Sequence, residues 1–262
     1  MRQSVRDDLS EATRRLAAAG CVSPSEEAQE LATAAQAGAQ PLTTFVDRRT
    51  TGEPLAWITG KVQFCGCTVA VSHGVFVPRW HSEQLVERAA ELLPAGGRAI
   101  DLGTGSGAVA RVLLARNPGA SVIGTERDPV AAACARQNGV TVAEGDLFEA
   151  VPASWKGRVD VVVAILPYVP TAEIAYLARD VRDFEPRSAL DGGEDGLKFI
   201  RRVVAEAVAW LGEGGHLLLE IGGNQANALG PALESAGLTL IQVLFDEAGD
   251  PRGIEAIATS AS

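Results

Sequence analysis

The chain has no run of eighteen or more apolar residues, so no membrane-spanning helix is expected. Its opening residues, Met1-Arg2-Gln3-Ser4-Val5-Arg6-Asp7-Asp8, lack the apolar core of a secretory leader, and a cytoplasmic location is the expectation. Cysteine is scarce: Cys21, Cys65, Cys67 and Cys134 are scattered, and Cys65-x-Cys67 is too closely spaced for a zinc or redox pair. Free thiols are expected. His73 and His216 have no partners at metal-ligand spacing, so no metal site is expected. Basic residues are outnumbered 23 to 33, a net charge of −10, which leaves no basic footprint for a nucleic acid. A protein or small-molecule partner stays open, and the oligomeric state is not legible. With 262 residues, 47% apolar and 21% charged, the chain can bury one good core and a small extra domain.

Three helices are expected in the first fifty residues. Residues 4–20 carry Val5, Leu9, Ala12 and Leu16 at helical spacing, with Gly20 as a stop. Ser23-Pro24-Ser25-Glu26 reads as a capping box that opens a second helix closing near Gly38, and residues 42–49 make a short third. This bundle carries no recognisable chemistry and reads as a lid or docking surface. Trp57-Ile58, Val62-Gln63-Phe64 and Thr68-Val69-Ala70-Val71 read as short strands joined by Gly60 and Gly66. The expected division is therefore a helical domain at 1–51, a hairpin linker at 52–75 and the main domain at 76–262. Residues 82–93 form an amphipathic helix with Leu85, Ala89 and Leu92-Leu93 inward, and Arg201-Arg202 reads as a solvated helix face.

From Arg98 onward strands and helices alternate. Strands are expected at 99–102, 121–125, 140–144, 159–165, 216–221, 238–245 and 254–259, with helices after Gly107, Pro129, Glu194 and Asn224. Such alternation gives a mostly parallel, doubly wound α/β sheet, and the last two strands suit an antiparallel hairpin at its edge.

Asp101-Leu102-Gly103-Thr104-Gly105-Ser106-Gly107 sits between the first of these strands and the helix that follows. Glycines there let the backbone turn tightly and approach a ligand, while unpaired helix amides face it. Gly103, Gly105 and Ala108 satisfy a dinucleotide fingerprint, with Glu126 eighteen residues on, so the glycines alone leave two readings open. Asp101 favours the other. A carboxylate at the strand tip repels a pyrophosphate but suits S-adenosyl-L-methionine, which carries a sulfonium and an ammonium and leaves as S-adenosyl-L-homocysteine. Thr104 and Gly107 complete the candidate loop. Glu126, followed by Arg127, ends the second strand and suits both ribose hydroxyls; its bland alternative is a helix-start carboxylate beside Asp128-Pro129. Asp146 ends the third strand and suits the adenine amino group, with a backbone contact from Leu147 and an apolar wall from Phe148; an ordinary turn residue is the alternative.

Three longer segments carry a resemblance. Gly52-Glu53-Pro54-Leu55-Ala56-Trp57-Ile58-x-Gly60, Gly74-Val75-Phe76-Val77-Pro78-Arg79-x-x-Ser82-Glu83, and Phe184-Glu185-Pro186-Arg187-x-Ala189-Leu190-x-Gly192-Gly193-x-Asp195-Gly196-Leu197 resemble segments of the HemK-like (PrmC-like) protein-glutamine N5-methyltransferases. Phe64-Cys65-Gly66 and Val75-Phe76-Val77-Pro78 are most similar to an actinobacterial-type, PrmC-related branch. The resemblance spans most of the chain. It implies a Rossmann-like, class I S-adenosyl-L-methionine-dependent methyltransferase sheet, and methylation of the glutamine in a Gly-Gly-Gln motif of peptide release factors. It also implies a catalytic Asn-Pro-Pro-Tyr after the fourth strand, where this chain has Ile165-Leu166-Pro167-Tyr168.

That departure shapes the functional expectation. In the family the asparagine oxygen and a backbone carbonyl accept the substrate's amide hydrogens, aiming a poorly nucleophilic nitrogen. Ile165 accepts nothing, and an unpaired buried amide donor costs about 1–3 kcal/mol. The expectation is a methyltransferase whose acceptor has become a small molecule of specialised metabolism, with Tyr168 walling the acceptor and Glu185, His81 or Glu83 as bases if one is needed. The alternatives are a protein-glutamine methyltransferase acting on a release factor, helped by backbone carbonyls at Leu166, and a homologue that binds the cofactor without methylating.

Overall fold

The computed structural model describes residues 2–38, 40–246 and 248–258; Thr259, where the last strand was expected to end, lies outside them. The amino-terminal helices are α1 (Arg2–Ala18), α2 (Pro24–Ala37) and α3 (Leu42–Thr50). Ala12, Leu16, Ala28, Leu31, Phe45 and Val46 close a small core between them, joined by Ile58. Ser23 occupies the N-cap of α2, but its side chain makes no capping hydrogen bond, so the capping box does not form. Pro24 at the first helical position lacks an N–H, so it leaves no unpaired donor there.

Trp57-Ile58 belongs to a helical turn, α4 (Leu55–Thr59), and is not a strand. Pro54 starts that turn, and Gly60 ends it with φ +75°. Two apolar residues are too few to reveal a period. Burial decides the outcome: the Trp57 indole packs with Val71 and Val75 and donates to the Val75 carbonyl at 2.8 Å. The expected hairpin follows as β1 (Lys61–Phe64) paired antiparallel with β2 (Cys67–Ala70).

The remainder forms one sheet. Its strands are β3 (Arg98–Leu102), β4 (Ser121–Glu126), β5 (Thr141–Glu144), β6 (Val159–Ala164), β7 (Leu211–Glu220), β8 (Leu238–Phe245) and β9 (Pro251–Ala258). They are ordered β5-β4-β3-β6-β7-β9-β8, with β9 antiparallel to both neighbours. This is the mostly parallel, doubly wound sheet expected from the sequence, with its closing antiparallel edge hairpin. Strand β7 begins five residues before the expected His216, because Leu211 already pairs with Val159 ahead of an irregularity in register.

The helices are α5 (Glu83–Leu92), α6 (Ala108–Arg116), α7 (Pro129–Gln137), α8 (Arg179–Phe184), α9 (Lys198–Ala207) and α10 (Gln225–Ser235). Both faces of the sheet are covered, so its strands read as continuous apolar runs. Alternate residues sort by face. Ile100, Leu102, Val162, Ala164, Leu217 and Leu219 pack with Ile200, Val203 and Leu229, whereas Ala99, Val161, Val163 and Leu218 pack with Val86, Ala89 and Val109. The chain moves outward from β3 through β4 to β5, then returns to β6 on the other side. That reversal opens a crevice at the carboxyl ends of β3 and β6, where open α/β sheets bind their ligands. Among the described residues no helix is long and apolar enough to cross a membrane.

Candidate functional site

A cavity of about 360 Å³ occupies the crevice. Asp101, Gly103, Thr104, Gly105, Glu126, Arg127, Asp146, Leu147 and the whole Ile165–Leu166–Pro167–Tyr168 run line it. Gly107 does not. It caps α6 with φ +81°, and a Cβ there would stand 2.8 Å from Val140 Cγ2 and 3.0 Å from Ala135, so packing demands this glycine.

Carboxylates at the tips of three adjacent strands mark the candidate cofactor end of the crevice. Asp101 is buried in β3, and its Oδ2 accepts from Thr104 Oγ1 at 2.5 Å and from the Ala110 N–H at 3.2 Å. Burial pushes its carboxyl up to about 6, against the lowering effect of these two bonds, with Glu126 adding to the rise. Gly103 and Gly105 take φ of +68° and +56°, a turn closed to ordinary side chains. The turn lets the Gly105 N–H donate to Glu126 Oε2 at 3.0 Å, while the Arg127 and Asp128 N–H groups donate to Oε1 at 2.9 Å each. Three backbone amides thus set the direction of the Glu126 carboxylate at the end of β4.

Asp146 follows β5 and its Oδ2 lies 2.8 Å from the Arg202 guanidinium of α9. Arg202 keeps the partly exposed position expected of it but is paired there, and Arg201 pairs likewise with Asp195 at 2.5 Å. Leu147, which lines the cavity, adopts φ +47°, uncommon for a residue other than glycine. Phe199 lines the same end, with the Arg127 guanidinium 5.4 Å from its ring centroid, within cation–π reach.

At the other end, the motif run crosses between the two faces of the sheet. Leu166 joins the core of α9, while Ile165 packs toward the core that holds Val109 and Val163. Tyr168 is braced on its backbone: Gln225 Nε2 donates to its carbonyl at 2.9 Å and to the Asp195 carbonyl at 3.2 Å. Its Oη stands 3.4 Å from His81 Nε2. Of the three candidate bases, only His81 lines the cavity. Glu185 is buried against Arg79 and the Val77 N–H, and Glu83 Oε1 accepts from the Cys65 N–H, so both carboxylates serve the scaffold.

Sequence reading missed a wall of the cavity. Leu177, Ala178 and Val181, at and before α8, line it together with Ser188, Ala189 and Leu190. No apolar period marks this stretch, because it is held from outside. Arg49 of α3, paired with Glu27 at 2.6 Å, approaches Asp180 to 3.6 Å, and Phe184 lies against Gly52.

No protein-family model matches the chain. It is 37% identical to the release factor glutamine methyltransferase of Moorella thermoacetica, over 95% of this chain and 96% of that one. The chain belongs to the release factor glutamine methyltransferase family. A second member, from Geobacter sulfurreducens, is 41% identical over 71% of this chain and 66% of its own length. The solved methyltransferase of Pyrococcus furiosus shares the fold, with a TM-score of 0.55 at 19% identity over 73% of this chain and 90% of that one.

As a member of this family, the chain is a methyltransferase with S-adenosyl-L-methionine as its methyl donor. The residues present suit that cofactor: the crevice offers Asp101, Glu126 and Asp146 as acceptors on three neighbouring strands, and a buried carboxylate on its floor is hostile to a pyrophosphate. Family membership overturns the expected small-molecule acceptor and the place in specialised metabolism. That expectation hung on one position, Ile165, whereas the kinship runs along nearly the whole chain to proteins named for a release factor glutamine. Ile165 is only partly buried: it packs beside the core that holds Val109 and Val163 and also lines the cavity, so it shapes the acceptor end without by itself naming the acceptor.

Proposed function

We propose that this enzyme transfers a methyl group to the side-chain amide nitrogen of a glutamine in a peptide chain release factor, a reaction of the cytoplasm. The observation that carries the reading is the 37% identity over 95% of the chain to a relative that bears this activity in its name. S-adenosyl-L-methionine, when bound, supplies an electrophilic methyl group on a cationic sulfur. Asp101, ionised, faces that positive charge from the floor of the crevice. Glu126 accepts from the ribose hydroxyls; a carboxylate has about four lone-pair sites, and the three amides that orient it leave capacity for a ligand. Asp146, with the Leu147 backbone, accepts from the adenine amino group, and Arg127 and Phe199 cover that end. Gly103 and Gly105 let the loop approach the cofactor, and Thr104 holds Asp101.

The acceptor glutamine enters beside Ile165–Leu166–Pro167–Tyr168. Backbone carbonyls of this run accept one amide hydrogen, and Tyr168 walls the reacting nitrogen. The apolar surround of Ile165, Leu177 and Val181 excludes water, which strengthens each polar contact made inside. The test is to incubate the purified chain with a release factor and S-adenosyl-L-methionine, and to map any added methyl group by peptide mass spectrometry. Modification of one glutamine is expected. A release factor left unmodified, while a small molecule or another residue takes the methyl group, overturns the reading.

A further inference from the structure

Behind the motif run lies a polar group that nothing above has used. Glu220 ends β7, is 1% exposed, and its Oε2 has no hydrogen-bond partner. Its Oε1 lies 3.7 Å from His81 Nε2, the atom that stands 3.4 Å from Tyr168 Oη. Burial, and then the adjacent Glu220 carboxylate, hold the Tyr168 phenol well above its ordinary range, so it keeps its proton. A buried carboxylate with an idle oxygen is expensive to maintain, by several kcal/mol on the usual desolvation scale. Its neighbours include His81 and Tyr168, two polar side chains that line the cavity.

We propose that Tyr168 Oη, backed by His81 Nε2 and the Glu220 carboxylate, accepts the hydrogen bond and then the proton of the substrate amide, replacing the acceptor absent at Ile165. The proposal rests on the reading that the substrate is a glutamine amide. With His81 neutral at Nε2, the phenol donates to it and turns its own lone pairs toward the cavity. As the nitrogen gains its methyl group and the S–C electron pair stays on sulfur, that nitrogen must shed one proton. The proton passes to Tyr168 Oη while the phenolic proton passes to His81 Nε2, and the phenol is neutral again. The imidazolium so formed faces Glu220, whose charge offsets it. Tyr168 touches the substrate, so it is catalytic; His81 and Glu220 are positioning residues that act through it.

The charged groups around this chain of contacts are few. Arg79, which precedes His81, is taken up by Glu185. Arg252 on β9 faces Tyr168 and is held by Asp246 at 2.7 Å and Asp250 at 3.6 Å. Glu220 is the group left facing the imidazole.

The test uses the full chain, a release factor, and the variants Tyr168→Phe, His81→Gln and Glu220→Gln. Tyr168→Phe is expected to lower kcat about a hundredfold, the usual worth of a positioned proton acceptor. His81→Gln is expected to lower kcat at unchanged KM for the release factor. In the cofactor-free protein, the ¹⁵N resonance of His81 Nε2 is expected to move in Tyr168→Phe and in Glu220→Gln. Methylation of the glutamine by the wild type, with kcat unaltered in His81→Gln, overturns the relay alone. So does an Nε2 resonance indifferent to Tyr168→Phe. A wild-type chain that leaves the glutamine unmodified overturns the reading beneath it, and the relay too. If Glu220→Gln fails to fold, the two cavity-lining variants decide.

Discussion

The Arg202 guanidinium of α9 lies 2.8 Å from Asp146 Oδ2, tying the helix after β6 to the loop after β5 at the cofactor end of the crevice. Both side chains are 37% exposed, so the pair adds under about 1 kcal/mol to stability. Its use is to orient a carboxylate. Arg202→Gln is expected to weaken S-adenosyl-L-methionine binding up to about fivefold, the equivalent of that 1 kcal/mol, with kcat unchanged. Calorimetric titration at low and high salt checks this, and the wild-type advantage shrinks as salt rises.

Asp101 links cofactor affinity to pH. Its carboxyl sits at about 6 in the cofactor-free fold against an ordinary 3.8, raised chiefly by burial. A cationic ligand selects the ionised form, so affinity is expected to fall up to about tenfold per pH unit below 6. The sign for folding is opposite. The fold binds this proton more tightly than the unfolded chain does, so the stabilisation is complete below 3.8 and is lost as pH rises through about 6. Asp101→Asn is expected to raise cofactor-free stability at pH 7.5 by up to about 3 kcal/mol, the value of roughly two pH units, while abolishing cofactor binding. Thermal unfolding and calorimetry across pH 5–8 test both signs.

Gly196 holds the motif from behind. Its φ is +75°, and a Cβ would fall 2.1 Å from the Tyr168 carbonyl oxygen and 2.4 Å from Gln225 Nε2. Left-handed strain and overpacking each cost about 1–3 kcal/mol, so Gly196→Ala is expected to lower stability by about 3 kcal/mol or more. It also displaces Tyr168, and kcat is expected to drop more than cofactor affinity does. Denaturant unfolding and steady-state kinetics separate the two effects.

Ile165→Asn restores an amide acceptor to the motif. A preorganised acceptor at a reacting centre is worth on the order of a hundredfold in kcat when nothing replaces it. With Tyr168 already filling part of that role, a gain of about tenfold is expected, and Ile165→Ala, which adds no acceptor, gives none. In the Ile165→Asn background, Tyr168→Phe is expected to cost less than in the wild type, as a double-mutant cycle measures.

Much of the cofactor end was legible without coordinates. Strand, glycine turn and helix follow one another within a dozen residues around Asp101, and Glu126 and Asp146 each end an apolar run, so local pattern alone put three carboxylates at strand tips. The acceptor end was not legible to the same degree. His81, Tyr168 and Glu220 come from three distant stretches, and none carries a spacing signal toward the others. Glu185 read as a possible base, yet the fold buries it against Arg79. Arg202 read as a solvated charge because a helix face shows what points outward, not what waits across a crevice. The cavity wall at residues 177–190 lacked any period, being held through contacts with distant segments: Arg49 on Asp180 and Gly52 against Phe184.

The amino-acid sequence by itself determined the alternation of strands and helices, the turn at Gly103–Gly105 and the carboxylates that end β3, β4 and β5, because period, glycine placement and strand length are local properties. Only the tertiary structure decided which polar groups meet across the crevice, which are consumed as scaffold pairs, and that Trp57 and Ile58 close a helical turn. Those outcomes depend on burial and on contacts between distant segments, whose desolvation and pairing energies exist only once the chain has folded.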